Sequence, residues 1–128
     1  MKNRFNFLII EESFAARIVM RSQLMRLDQH VDITPSLEDA LDKLVLKPYD
    51  ILLIDSNSYK KMDGPESTTP VIKNPLNKNS LIIAIIGEQE LEFNQNLPSN
   101  GPVPYFKKPF TEDSVMKIIH YIETTKEF

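Results

Sequence analysis

The chain has no cysteine, only three glycines, and no apolar run long enough to cross a bilayer. Without thiols there is no disulfide framework and no thiolate nucleophile, an absence that fits a reducing compartment. The first apolar run meets Glu11 too early to be the core of a signal sequence or a membrane span. A cytoplasmic protein without membrane insertion is therefore expected. No excess of positive charge exists either: 15 basic against 18 acidic residues give a net charge of -3, with no global attraction to nucleic acid or to an anionic membrane. The turn Glu11-Glu12-Ser13-Phe14 contains no glycine, and its carboxylates would repel a phosphate, which excludes a dinucleotide or flavin site there. Repeats, linkers and low-complexity segments are also missing.

What is present fits one domain spanning residues 1–128: 128 residues, 41% of them hydrophobic and 26% charged. Apolar runs alternate with stretches of helical period, the pattern of repeated βα units and a parallel sheet. A strand over 6–10 leads to a helix capped by Ser13, whose Phe14, Ile18, Leu24 or Met25, and Leu27 suit one buried face. A short strand over 31–33 follows. Ser36 and Asp39 then open a helix burying Leu37, Ala40, Leu41 and Leu44, which stops at Lys47-Pro48. The run over 49–54 reads as a strand buried on both faces, with Asp55 at its exit.

Between Ser56 and Ser80, Pro65, Pro70 and Pro75 make any third helix short or distorted. Leu81 to Ile86 is the clearest strand, and Gly87 admits a sharp turn after it. A short fourth helix is expected within Glu88 to Leu97, and a last strand over 103–106. Thr111 caps a final helix that presents Val115, Ile118, Ile119 and Ile122 on one face. If these strands are parallel, Glu11, Glu12, Asp55 and Lys108 gather at one carboxyl edge, where open α/β folds place their chemistry.

An acidic pair after the first strand, an aspartate after the third followed by Met62-Asp63-Gly64, a small residue after the fourth, and Tyr105-Phe106-Lys107-Lys108-Pro109-Phe110-Thr111 together resemble the receiver domain of two-component response regulators. The similarity covers the whole chain in order. It implies a flavodoxin-like three-layer sandwich, a five-stranded parallel sheet of order 2-1-3-4-5 with helices on both faces. It implies phosphorelay signalling, with Asp55 taking a phosphoryl group from a sensor histidine kinase or phosphotransfer protein. Mg²⁺ would be held by Glu12, Asp55 and the carbonyl of Asn57, with Glu11 acting through water. Lys108 would pair with Asp55 and later with a phosphoryl oxygen, and a cis Lys108-Pro109 bond is implied. Hard oxygen ligands and a fixed cation are what a carboxylate attacking phosphorus requires. Beyond this self-phosphorylation and self-dephosphorylation no enzyme is expected. A stand-alone domain would signal to an unknown downstream protein, or to a second copy as a homodimer, through the fourth helical region, last strand and last helix.

Three departures from the family pattern stand out. Glu12 occupies a position that is usually aspartate and is one methylene longer, in a site where Mg²⁺ tolerates little geometric error. Ile86 replaces the hydroxyl residue expected at the end of the fourth strand, with Gly87 as the small residue after it, so the coupling of that hydroxyl to Tyr105 has lost one part. Ser58-Tyr59 stand where Met-Pro is common, and the stretch from Asp55 to Gly64 is one residue longer than usual. The alternative function is therefore a degenerate pseudo-receiver acting as a phosphorylation-independent interaction module.

An aspartate-based phosphatase of another α/β fold would want a second aspartate two residues after the nucleophile, where Asn57 stands. Taken alone, Asp55 reads as a turn or capping residue. Arg17, Arg21 and Arg26 read as a solvated helix face, Met20 and Met25 as apolar filler, and His30 and His120 as isolated side chains. Tyr105 reads equally as a packed aromatic or as a side chain that turns on signalling.

Overall fold

A computed structural model describes residues 4–61, 76, 77, 79–87 and 105–125. Its strands are β1 (Asn6–Ile10), β2 (His30–Thr34), β3 (Ile51–Asp55), β4 (Leu81–Ile86) and β5 (Tyr105–Lys107), and its described helices are α1 (Phe14–Arg26), α2 (Leu37–Leu44), α3 (Ser56–Lys61) and α4 (Glu112–Thr125). The strands form one five-stranded sheet in the order β2-β1-β3-β4-β5, and every pairing is parallel. This is the expected flavodoxin-like architecture. The expected helix within Glu88 to Leu97, the Met62-Asp63-Gly64 turn, and Val103 and Pro104 lie outside the described residues.

The period-2 alternation of the strands builds two cores. Phe7, Ile9, Ile51, Leu53, Ile83 and Ile85 point to the face covered by α1 and α4, where Met20, Leu24, Val115, Ile118, Ile119 and Ile122 meet them. Leu8, Ile10, Leu52, Ile54, Ala84 and Ile86 point to the other face, under Leu37, Ala40 and Leu44 of α2 and Tyr59 of α3. Strands buried on both faces explain the near-continuous apolar runs.

Local chemistry sets the element ends. The Ser13 side chain accepts from Ala16 N and caps α1, and Ser36 accepts from Asp39 N and caps α2. Asp28 adopts φ 62° just past α1, and Arg4 donates to its carboxylate through Nε and Nη2 at 2.8 and 2.7 Å. Asn77, fully buried, accepts from Tyr49 N and donates to the carbonyls of Leu44 and Lys47, joining the end of α2 to the approach to β4.

Three readings are corrected. β2 extends to His30 and Thr34, because His30 N donates to Phe5 O and Glu11 N donates to Thr34 O. Asp55 is the last residue of β3, while Tyr49 and Asp50 precede the strand. The buried residues of α1 are Met20 and Leu24, not Phe14, Ile18 and Met25, which are 69%, 40% and 53% exposed. Apolar residues sit on almost every side of this helix, so its periodicity does not choose a face. Met20 and Leu24 pack on the sheet and α4, and Arg17 reaches back to the turn after β1.

Candidate functional site

The carboxyl edge of β1, β3 and β4 carries the expected residues. Parallel register sets Ile10 beside Ile54 and Asp55 beside Ile85. Glu11 and Asp55 each follow one strand's last apolar residue, and both are buried, at 3% and 6% exposure. Burying carboxylates demands partners, and each has its own. Asp55 Oδ2 accepts from Glu12 N at 2.9 Å and from Ser58 Oγ at 3.2 Å, while Oδ1 accepts from Ser58 N at 2.7 Å. The bond to Ser58 N makes Asp55 the N-cap of α3, since Ser58 is the third residue of that helix.

Glu11 Oε2 accepts from Ser13 N at 3.0 Å. Its Oε1 lies 3.0 Å from Lys108 Nζ, an ion pair whose alignment falls short of a hydrogen bond, so Oε1 is a buried acceptor with no hydrogen bond among the described residues. Lys108 therefore pairs with Glu11 rather than with Asp55. Asp55 takes its donors instead from the β1-α1 turn and from α3. Lys108 N donates to Ile86 O at 2.8 Å, and the Lys108-Pro109 bond is cis, as the resemblance implied.

Glu12 is exposed, and its backbone rather than its side chain touches Asp55. Asn57 is exposed within the first turn of α3. No group of three His, Cys, Asp or Glu side chains able to hold a metal occurs among the described residues. The donor set is nonetheless all oxygen, the kind a hard cation such as Mg²⁺ takes, with Glu11 Oε1 already ion-paired to Lys108.

Ile86, one residue beyond the β4 partner of Asp55, points to the opposite face and is buried with Tyr59 in the α2 and α3 core. Gly87 is half-buried, and Tyr105 is 38% exposed. Three residues emerge that the motifs did not single out for the site. Arg17 Nη1 donates to Glu11 O at 2.7 Å and Glu12 O at 3.2 Å while its guanidinium stacks on Phe14, 5.6 Å from the ring centre. It clamps the acidic turn rather than facing solvent alone. Ser58 grips Asp55, and Tyr59 is fully buried. Arg17 was visible as a cation one turn into the helix, whereas Ser58 and Tyr59 offered only their departure from the usual Met-Pro. Beside the site an apolar cleft of about 300 Å³ opens between Ala15, Ala16, Val19 and Met20 of α1 and the loop Lys108-Pro109-Phe110.

The family model "Response regulator receiver domain" matches residues 7–120, and the chain belongs to that family. No curated protein sequence matches. Among solved structures, the chain is similar to a CheY-like response regulator receiver domain from Methylobacillus flagellatus, with 23% identity, a TM-score of 0.67 and coverage of 94% of this chain and 100% of that one. It is also similar to the receiver domain of sensor histidine kinase PA1611 from Pseudomonas aeruginosa PAO1, solved with a magnesium ion coordinated in the active site cleft. There the identity is 20%, the TM-score 0.72 and the coverage 93% and 97%. The chemotaxis response regulator CheY4 of Vibrio cholerae gives 16% identity, a TM-score of 0.67 and coverage of 94% and 99%. At these identities the likeness is one of fold. Among the described residues no helix is long and apolar enough to cross a membrane.

Proposed function

We propose that the chain is a phosphorelay receiver in which Asp55 is the phosphoacceptor and Lys108 its companion cation. The observation that carries this reading is the meeting, at one sheet edge, of the buried Asp55, the buried Glu11 and the Lys108 ammonium 3.0 Å from Glu11. An Asp55 oxygen forms the new O–P bond as the P–N bond of a phosphohistidine breaks, and the departing imidazole keeps the electron pair and takes up a proton. Glu11, Glu12, Asp55 and the carbonyl of Asn57 would hold Mg²⁺, which neutralises charge on the transferring oxygens when bound. Lys108 supplies fixed positive charge, Glu12 N and Ser58 orient the carboxylate, and Arg17 holds the β1-α1 turn in shape. The Pseudomonas aeruginosa similarity supports both a metal and a kinase or phosphotransfer partner. The apolar cleft beside Lys108, continuous with exposed Val19, gives such a phosphodonor a foothold.

A second reading, the phosphorylation-independent docking module, is favoured by one observation: both oxygens of Asp55 are already engaged as acceptors, by Ser58 N on one and by Glu12 N and Ser58 Oγ on the other. Incubation with Mg²⁺ and acetyl phosphate, read by intact mass, separates the two. The phosphoryl reading expects one added phosphoryl group on the natural chain and none on Asp55→Asn. An unmodified natural chain would leave the docking module.

A further inference from the structure

Both oxygens of Asp55 are bonded to Ser58, Oδ1 to its N–H at 2.7 Å and Oδ2 to its Oγ at 3.2 Å. Ser58 lies in the first turn of α3, and the next residue, Tyr59, is fully buried in the core shared with Leu37, Ala40 and Leu44 of α2. The oxygen that attacks becomes the bridging oxygen of an acyl phosphate, a much weaker acceptor than a carboxylate oxygen. Attack by Oδ1 weakens the cap to Ser58 N, and attack by Oδ2 weakens the bonds from Ser58 Oγ and Glu12 N. In either case one arm of Asp55's hold on α3 is weakened. The product also carries a weaker acceptor than a carboxylate, because its charge has moved to the phosphoryl group.

The relay through the fourth and fifth strands, by contrast, lacks its hydroxyl here. Ile86 is apolar, 1% exposed and packed in the α2 and α3 core. We propose that Asp55 is a latch on α3, and that loss of its free carboxylate releases the first turn of α3 and loosens Tyr59, so that the state of the site is reported on the α2 and α3 face. The trigger rests on Asp55 being the phosphoacceptor, and the latch rests on the geometry of Asp55 and Ser58.

Hydrogen exchange of the full chain, with and without beryllofluoride and Mg²⁺, tests this, with ¹⁹F NMR reporting whether the fluoride adduct forms. The latch expects amides of 56–61 to exchange about tenfold faster in the adduct while those of 112–125 are unchanged. An adduct with unchanged exchange over 56–61, or with the change confined to 105–125, overturns the latch and leaves the phosphoacceptor reading standing. If no adduct forms, the phosphoacceptor reading fails, and the substitutions decide the latch. Asp55→Ala, which cannot cap, should then speed exchange over 56–61 about tenfold, while Asp55→Asn, which keeps one acceptor oxygen but loses the charge, should fall between Asp55→Ala and the natural chain. Equal exchange in the two variants overturns it.

Discussion

Lys108 reaches Glu11, at 3.0 Å from its Oε1, and not Asp55. The two partners are unequally placed, the lysine side chain being 33% exposed and the glutamate 4%. Removing either should therefore have different costs. Lys108→Met strands a buried carboxylate and should lower stability by about 1 to 3 kcal/mol, less than for a wholly buried pair. Glu11→Gln leaves only a half-solvated ammonium and should cost less. In urea denaturation the double variant should match Glu11→Gln, and additive losses would mean that the pair is not coupled.

Arg17 fixes the turn that carries both glutamates by donating to their carbonyls. Arg17→Ala should cost about 1 kcal/mol, seen as a lower denaturation midpoint. Arg21→Ala, in a position with no such contact among the described residues, should leave the midpoint in place. Equal effects at the two positions would return Arg17 to the solvated face.

Ile86 belongs to the core and not to the site. Ile86→Thr puts the family's hydroxyl back but aims it among Tyr59, Ile54 and Ala84, so a loss of about 2 kcal/mol in stability is expected from lost burial and an unpaired hydroxyl. No gain in acetyl phosphate adduct is expected. A higher adduct yield in Ile86→Thr would show that the hydroxyl does reach the acceptor.

Away from the site, the Tyr49 hydroxyl donates to Asp32 Oδ2 at 2.6 Å, and Lys47 Nζ lies 3.0 Å from the same oxygen. Partial burial pushes the Asp32 carboxyl up, but the hydrogen bonds from Tyr49 and Lys47 and the charges of Lys47 and Lys43 outweigh it, leaving it below its ordinary value. Burial first, then the hydrogen bond to and the charge of Asp32, push the Tyr49 phenol well above its ordinary value. A lowered acid contributes stability that is present above its unfolded pKa and lost as pH falls through the folded one. A raised phenol contributes stability that is present below pH 10 and lost as pH rises. Tyr49→Phe should remove the alkaline loss and soften the acid one, as read from unfolding midpoints across the two ranges. Unaltered profiles would contradict the coupling.

The strands, their parallel order and the placement of Glu11, Asp55 and Lys108 were legible because runs such as Ile51 to Ile54 are buried on both faces and leave charges only at their ends. Two kinds of information were not. The inner face of α1 was ambiguous because Phe14, Ile18, Val19 and Met20 surround the helix, and only packing against the sheet and α4 buries Met20 and Leu24. Partner choice at the site was also hidden. Asp55 was readable as either acceptor or cap, and only the folded chain shows its Oδ1 bonded to Ser58 N and Lys108 paired with Glu11.

The most direct measurement is chemical trapping at position 55. After incubation of the natural chain with Mg²⁺ and acetyl phosphate, borohydride converts an aspartyl phosphate to homoserine, which peptide sequencing by mass spectrometry locates. Homoserine at position 55 alone is the expected result. Unmodified Asp55, or homoserine at another carboxylate instead, would contradict the account.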